Sequence, residues 1–203
     1  MFFKIFFLFS VVTILFSCSK DKTVYQATEK INPYVLYKEA HDAFEINDFF
    51  NASKKFSEAE INFEKIDLAA KSAIMSCFSL YGINFYDEAL DCIERFTNTY
   101  PSDKKLIYAE YLKAVIFFEQ MSDEKKDIKP LLDASKQIEI FINKYPGSDY
   151  STDLKFKKNL IINQLAAKEL YIAKYYISIQ KWIPAINRLK TIVGKYDKTI
   201  FIE

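Results

Sequence analysis

Glycine is nearly absent from this 203-residue sequence, and that scarcity excludes the most. Only Gly82, Gly147 and Gly194 occur, 65 and 47 residues apart, so no GxGxxG or P-loop phosphate cradle can be assembled. Barrels and sandwiches built on many tight hairpins are disfavoured for the same reason. The single histidine, His41, rules out HExxH and other multi-histidine metal sites. Arginine is confined to Arg95 and Arg188, which leaves no stripe of planar guanidinium groups to hold nucleic-acid phosphates. Excess charge of one sign is missing too: 28 basic residues oppose 27 acidic ones, a formal net of +1. What is plentiful is apolar and aromatic material, 50% and 17% of the residues, enough to bury a core and to exclude a disordered chain.

The longest apolar run, Ile5 to Phe16, is interrupted only by Ser10 and Thr13 and follows a lone basic residue, Lys4. Its twelve residues span roughly 18 Å as a helix, well short of the roughly 30 Å hydrocarbon core, so it reads as a secretory signal rather than a retained span. It ends in Leu15-Phe16-Ser17-Cys18, which resembles a bacterial lipobox. That resemblance implies cleavage before Cys18, acylation of this cysteine and, with Ser19 where an aspartate would signal inner-membrane retention, an outer-membrane destination. Several acyl chains, at about 0.8 kcal/mol per buried methylene, hold a soluble domain to a bilayer for its lifetime. Residues 1–17 are read as signal peptide, 18–32 as a polar tether and 33–203 as the folded domain. Cys77 and Cys92 then remain in an oxidising compartment, in no CxxC pair. A disulfide between them stays open, but two packed small thiols is the preferred reading.

From Pro33 onward the apolar residues recur at three- and four-residue steps, as in Leu36, Ala40, Ala43, Phe44 and again in Phe49, Ala52, Phe56, Ala59, Phe63. This is helix periodicity without strand alternation. Asn32-Pro33 supplies an N-cap and a first-turn proline. A small residue in one helix pairs with an alanine twelve places on: Ala40 with Ala52, Cys77 with Ala89, Ala173 with Ala185, and Ala114 with Ala134 once an eight-residue insertion is allowed. The first three units start 37 residues apart. Small residues facing each other let antiparallel helices approach closely, while large apolar groups seal the seam to the next hairpin. The segment 85–101, FYDEALDCIERFTNTYP, resembles a tetratricopeptide repeat, whose nominal period is about 34 residues. The fold expected is therefore all-α, a tetratricopeptide-repeat right-handed superhelix of about four hairpins. Ser151 to Gln180 lacks proline and glycine, so one helix of about 28 residues is expected there. The mostly charged insertion Met121 to Lys129 reads as a solvated loop.

The order of strings LYKEAHDAFEINDFFNASKKF, ALDCIERFTNTYPSD, AEYLKAVIFFEQMSDEKKD, YPGSDY, AAKELYIAKYY and AINR behind a lipobox resembles the BamD family over nearly the whole chain. The resemblance implies a non-catalytic, lipid-anchored outer-membrane subunit of the β-barrel assembly machinery facing the periplasm. It implies as partners the POTRA domains of the barrel subunit BamA, accessory Bam lipoproteins and unfolded outer-membrane protein precursors. The family usually carries a fifth repeat, which residues 33–203 are expected to lack, although Ile200, Phe201 and Ile202 read as the start of another helix. The competing reading is a different periplasmic tetratricopeptide lipoprotein that coordinates envelope or cell-division complexes. The insertion and the long helix favour the BamD family over it.

In such a solenoid the first helix of each hairpin lines the concave face. Counting from the small residues places Tyr37, His41, Phe44, Phe78, Tyr81, Tyr111 and Phe118 there as candidates for gripping polypeptide, each ring contributing on the order of 1.5–3 kcal/mol if buried. Ile74 and Val115 belong to the same set of positions. Arg188, in INRLK, matches an Asn-Arg pair of the family and is the candidate partner for an interface carboxylate, whereas Arg95 reads as structural. The lipobox resemblance makes Cys18 the expected lipidation site. No nucleophile–base pair or convergent carboxylate pair is present, so no catalytic residue, metal ligand or cofactor is expected beyond the lipid, and nucleic acid is not an expected partner.

Overall fold

The computed structural model describes residues 32–121 and 126–202. The signal peptide, Cys18 and the tether as far as residue 31 lie outside the described residues, as does part of the 121–129 insertion. Among the described residues there are eight helices and no strand: α1 (Pro33–Glu45), α2 (Phe49–Asn62), α3 (Ile66–Gly82), α4 (Tyr86–Thr99), α5 (Leu106–Glu119), α6 (Lys129–Lys144), α7 (Asp149–Ser178) and α8 (Trp182–Lys195). They pair as four successive hairpins.

Local chemistry sets the ends. Asn32 Oδ1 accepts from the Tyr34 N–H at 3.0 Å while Pro33 occupies the first helical turn of α1. Asp48 caps α2 through the Asn51 N–H, and Ser148 caps α7 through the Ser151 N–H at 3.1 Å. Three hairpins share one turn: Ile46-Asn47-Asp48-Phe49, Ile83-Asn84-Phe85-Tyr86 and Ile179-Gln180-Lys181-Trp182. The second residue of each is left-handed, with φ of 62°, 60° and 58°. The N–H of the third then reaches back to Ala43, Leu80 and Tyr176 carbonyls at 2.9, 3.0 and 2.9 Å, closing the first helix of the hairpin. Asparagine tolerates this conformation at low cost, which accounts for its use twice. Gly82 serves a different need. A Cβ there would lie 3.0 Å from Phe49 Cδ2, so its bare backbone lets the end of α3 pass close to the start of α2.

The paired small residues do what their spacing predicts. Ala40, Ala52, Cys77, Ala89, Ala114, Ala134, Ala173 and Ala185 are all buried, none exposing more than 2% of its surface. Three of the four second helices sink one phenylalanine on the same face, Phe56 in α2, Phe96 in α4 and Phe141 in α6, at 0, 0 and 2% exposure, and α8 buries Ile192 instead. Every helix packs on its neighbours in sequence, and the first helices α3, α5 and α7 also touch in turn. This nearest-neighbour stacking is the tetratricopeptide-like helical repeat anticipated from the sequence.

Three details differ from expectation. The long helix runs from Asp149 to Ser178, 30 residues, because the Ser148 cap starts it earlier and left-handed Gln180 ends it. Cys77 and Cys92 are joined by a disulfide rather than merely packed. Cys92 lies one turn beyond Ala89, on the face of α4 that meets α3 at Cys77, and the two small residues bring their Cα atoms to 5.4 Å. Finally, Ile200 and Phe201 form a turn instead of a helix start, held by the Ile200 N–H donating to Asn163 Oδ1 on α7 at 3.4 Å.

Candidate functional site

Because side chains four places apart on a helix share a face, the first helices present their rings to one another. Phe44 of α1 meets Phe78 of α3 at 5.8 Å between ring centroids, and Phe78 meets Tyr81 at 5.8 Å. Tyr81 packs against both large apolar clusters and so joins the second hairpin to the third. Farther along, Tyr111 of α5 stacks on Tyr150 of α7 at 4.5 Å, with Tyr108 6.1 Å from Tyr150. The result is a ribbon of half-buried rings crossing α1, α3, α5 and α7. Of the sequence candidates, Phe44, Phe78, Tyr81 and Tyr111 come together in it. Phe118, at the end of α5, is half-buried beneath the Lys157 ammonium, 5.2 Å from its centroid.

The other candidates are placed differently. Tyr37 packs edge-on against Phe56 at 5.3 Å and Phe63 at 6.3 Å, on the side where α1 meets α2, with the Lys71 ammonium over its ring. His41 is exposed, and its Nδ1 lies 3.3 Å from Glu45 Oε1 one turn on. With Asp42 these two offer ligand atoms within 4.8 Å of one another, but all three side chains are solvated and such exposed clusters are common without an ion. Arg188 is committed within the chain: its Nη1 donates to both Glu169 carboxylate oxygens, at 3.1 and 3.3 Å, tying α8 to α7. Arg95 makes the corresponding but stronger link, bidentate to Glu60 across α2 and α4 at 2.7 and 2.9 Å.

Tyr108 and Tyr150 were not singled out from the sequence, although Tyr108 lies one turn before Tyr111 on the same helix face. Asp153 was missed as well; it accepts from the Tyr111 hydroxyl at 2.9 Å and holds the ring in place.

These tyrosines also carry an electrostatic signature. Burial raises the Tyr81, Tyr108 and Tyr111 hydroxyls above their usual range, Glu119 adding to the effect at Tyr81, Tyr150 at Tyr108 and Asp153 at Tyr111. Tyr108 is pushed up to about 12, and so is Tyr100, by burial and by its hydrogen bond to Glu60. A group that holds its proton more tightly when folded stabilises the fold fully below its unfolded pKa, about 10 for tyrosine, and that contribution disappears as pH rises through the folded value. Melting temperature should therefore be flat to about pH 9.5 and fall steeply between pH 10 and 12, in step with tyrosinate absorbance. A melting temperature unchanged up to pH 12 would mean the rings are solvated.

No helix among the described residues is long and apolar enough to cross a membrane. A family model described as YfiO, outer membrane lipoprotein, matches residues 29–203. The chain is similar to the outer membrane protein assembly factor BamD of Caulobacter vibrioides, 29% identical over 165 residues, covering 81% of this chain and 54% of that protein. Against the protein of the same name from Rickettsia prowazekii it is 29% identical over 153 residues, covering 72% and 61%. With that from Neisseria gonorrhoeae the figures are 26% over 188 residues, 88% and 70%. The chain thus spans between half and two thirds of the first two relatives.

Proposed function

Since the chain belongs to the YfiO family of outer membrane lipoproteins, we propose that it is a non-catalytic assembly factor for outer-membrane proteins, held to the periplasmic side of the outer membrane by acyl chains on Cys18. It binds unfolded β-barrel precursors along its first helices and docks on the POTRA domains of BamA, with accessory Bam lipoproteins as further partners. The observation that carries this reading is the aromatic ribbon from Phe44 through Phe78 and Tyr81 to Tyr111 and Tyr150. Half-buried rings retain apolar area that a passing polypeptide can cover, and their fixed positions keep the ordering cost of binding low. The buried Cys77–Cys92 disulfide supports a compartment outside the cytoplasm, where such bonds persist. Relatives carrying the assembly-factor name supply the class of client.

The test uses the purified chain and a urea-denatured β-barrel precursor diluted from denaturant, followed by fluorescence anisotropy. Phe78→Ala should weaken binding about tenfold, equivalent to about 1.4 kcal/mol. Because Phe78 also packs against Phe44 and Tyr81, melting temperature should fall by a few degrees at most. Unchanged binding would remove the ribbon from the client surface. Capture from crosslinked envelopes should recover the barrel subunit, and recovery of cell-division proteins in its place would defeat the assembly reading. Intact mass of detergent-extracted protein reports the acyl chains directly.

A further inference from the structure

Three hairpins close on the same left-handed turn, and each of those turns leaves large apolar side chains in water. In the first hairpin Ile46 and Phe50 are 75% and 60% exposed, and in the second Phe85 is 44% exposed. In the fourth, Ile179, Trp182 and Ile183 are 44%, 60% and 74% exposed. The first two turns stay exposed although further hairpins stack beside them, so the exposure belongs to the turn itself.

Charge separates the fourth turn from the others. Glu45 and Asp48 flank the first, and Asp87 and Glu88 follow the second. Lys174 and Lys181 flank the fourth, both exposed, and residues 170–196 contain five basic residues and no acidic one. Arg188 is answered by Glu169, just outside that stretch, which leaves a lysine surface suited to an anionic neighbour. The fourth turn also projects into solvent: from Lys174 to Ile183 every residue but Tyr176 is exposed. Its backbone is nevertheless pinned, the N–H groups of Ile179, Gln180 and Lys181 donating to the Tyr175, Ile177 and Tyr176 carbonyls at 3.3, 3.0 and 2.9 Å. Tyrosine, tryptophan and isoleucine interleaved with lysine on a projecting turn make the composition that enters the headgroup region of a bilayer. Rings and aliphatic atoms there reach toward the acyl chains while ammonium groups stay at the lipid phosphates.

We propose that the α7–α8 turn is a reversible membrane contact: Tyr175, Ile179, Trp182 and Ile183 enter the interface of an anionic phospholipid bilayer while Lys174 and Lys181 meet its phosphates. A bilayer fits better than an acidic protein because the apolar groups sit on a projecting turn and line no groove. The same surface repels the first and second turns through Glu45, Asp48, Asp87 and Glu88, so the contact also sets which end of the helical array rests on the membrane. It needs no acyl chain and stands apart from the reading of Cys18 and from the client surface.

Trp182 is the only tryptophan of the sequence, so its emission reads this turn directly, whether or not acyl chains also hold the protein. The purified mature protein is mixed with phosphatidylcholine vesicles, with and without phosphatidylglycerol. The anionic vesicles should shift the emission to the blue, and lipid brominated in its acyl chains should quench it. Each lysine near an anionic surface favours contact about fivefold, so Lys174→Glu/Lys181→Glu should weaken the response at least about tenfold. High salt should reverse it. Ile179→Ser/Ile183→Ser should weaken it as well while leaving the melting temperature unchanged, since both side chains are exposed. Ile46→Ser, at the equivalent acidic turn, should change nothing. Absence of quenching overturns the proposal, as does equal quenching without phosphatidylglycerol or an unaltered response in the lysine variant. A blue shift that grows with protein concentration in the absence of vesicles would assign the turn to a second copy. One produced by soluble polyglutamate but not by vesicles would assign it to an acidic protein, and either result overturns the membrane contact.

Discussion

Removing the Cys77–Cys92 bond, by reduction in denaturant or by the paired variant Cys77→Ala/Cys92→Ala, is expected to lower stability by about 3 kcal/mol, the loop-closure entropy of a bridge spanning 15 residues. For a chain of this size that corresponds to a fall in melting temperature of roughly 6–12 °C. The bond joins the two helices of the second hairpin, next in sequence to Phe78, so the loss is felt in the middle of the ribbon. Cys77 has no exposed surface, so reductant should act slowly on the folded protein and quickly once it is opened. Calorimetry with and without reductant, after a cycle of denaturation, measures the effect. Identical melting of oxidised and reduced protein would show that the bridge constrains nothing.

The second large effect concerns Glu60. Its side chain is only 7% exposed and accepts from both Arg95 nitrogens and, at 3.0 Å, from the Tyr100 hydroxyl. Deleting one partner of a buried charge leaves the other without compensation. Because the Arg95 side chain is itself 47% exposed, solvent moderates the penalty, and Arg95→Met should cost on the order of 2–3 kcal/mol rather than the full value for an enclosed pair. Tyr100→Phe should cost about 1 kcal/mol. The combined Glu60→Leu/Arg95→Met variant should recover most of the loss, because no unpaired charge then remains. Urea titration of the wild type, Glu60→Leu, Arg95→Met and the double variant measures this, and a loss in the double variant equal to the sum of the two single losses would disprove the coupling.

Much of this architecture was legible because it is periodic. The small-residue pairs from Ala40/Ala52 to Ala173/Ala185 encode helix contact at a constant offset, and a pattern repeated four times is read more securely than any single helix. The rings of the ribbon followed from the same register, which is why Phe44, Phe78, Tyr81 and Tyr111 could be found by counting. What lay hidden has no periodic signal. Whether Cys77 and Cys92 bond depends on the approach of two backbones, and Glu60 meets Arg95 from 35 residues away. The commitment of Arg188 to Glu169 could not be seen from INRLK alone. Tyr150 joins the ribbon only because the Ser148 cap starts α7 at Asp149. The αL asparagines had no distinctive signal, since Ile-Asn-x-aromatic also occurs at 31–34 and 142–145, where the asparagine is not left-handed.

Trp182 opens α8 in the fourth hairpin and is the sole tryptophan of the sequence. In a stack where each hairpin leans only on its neighbours, terminal units can come away before the middle does. Intrinsic fluorescence is consequently a local gauge of the fourth hairpin, whereas far-ultraviolet dichroism averages over every helix. Where the two traces separate on heating, the gap between them measures how far cooperativity extends along the array.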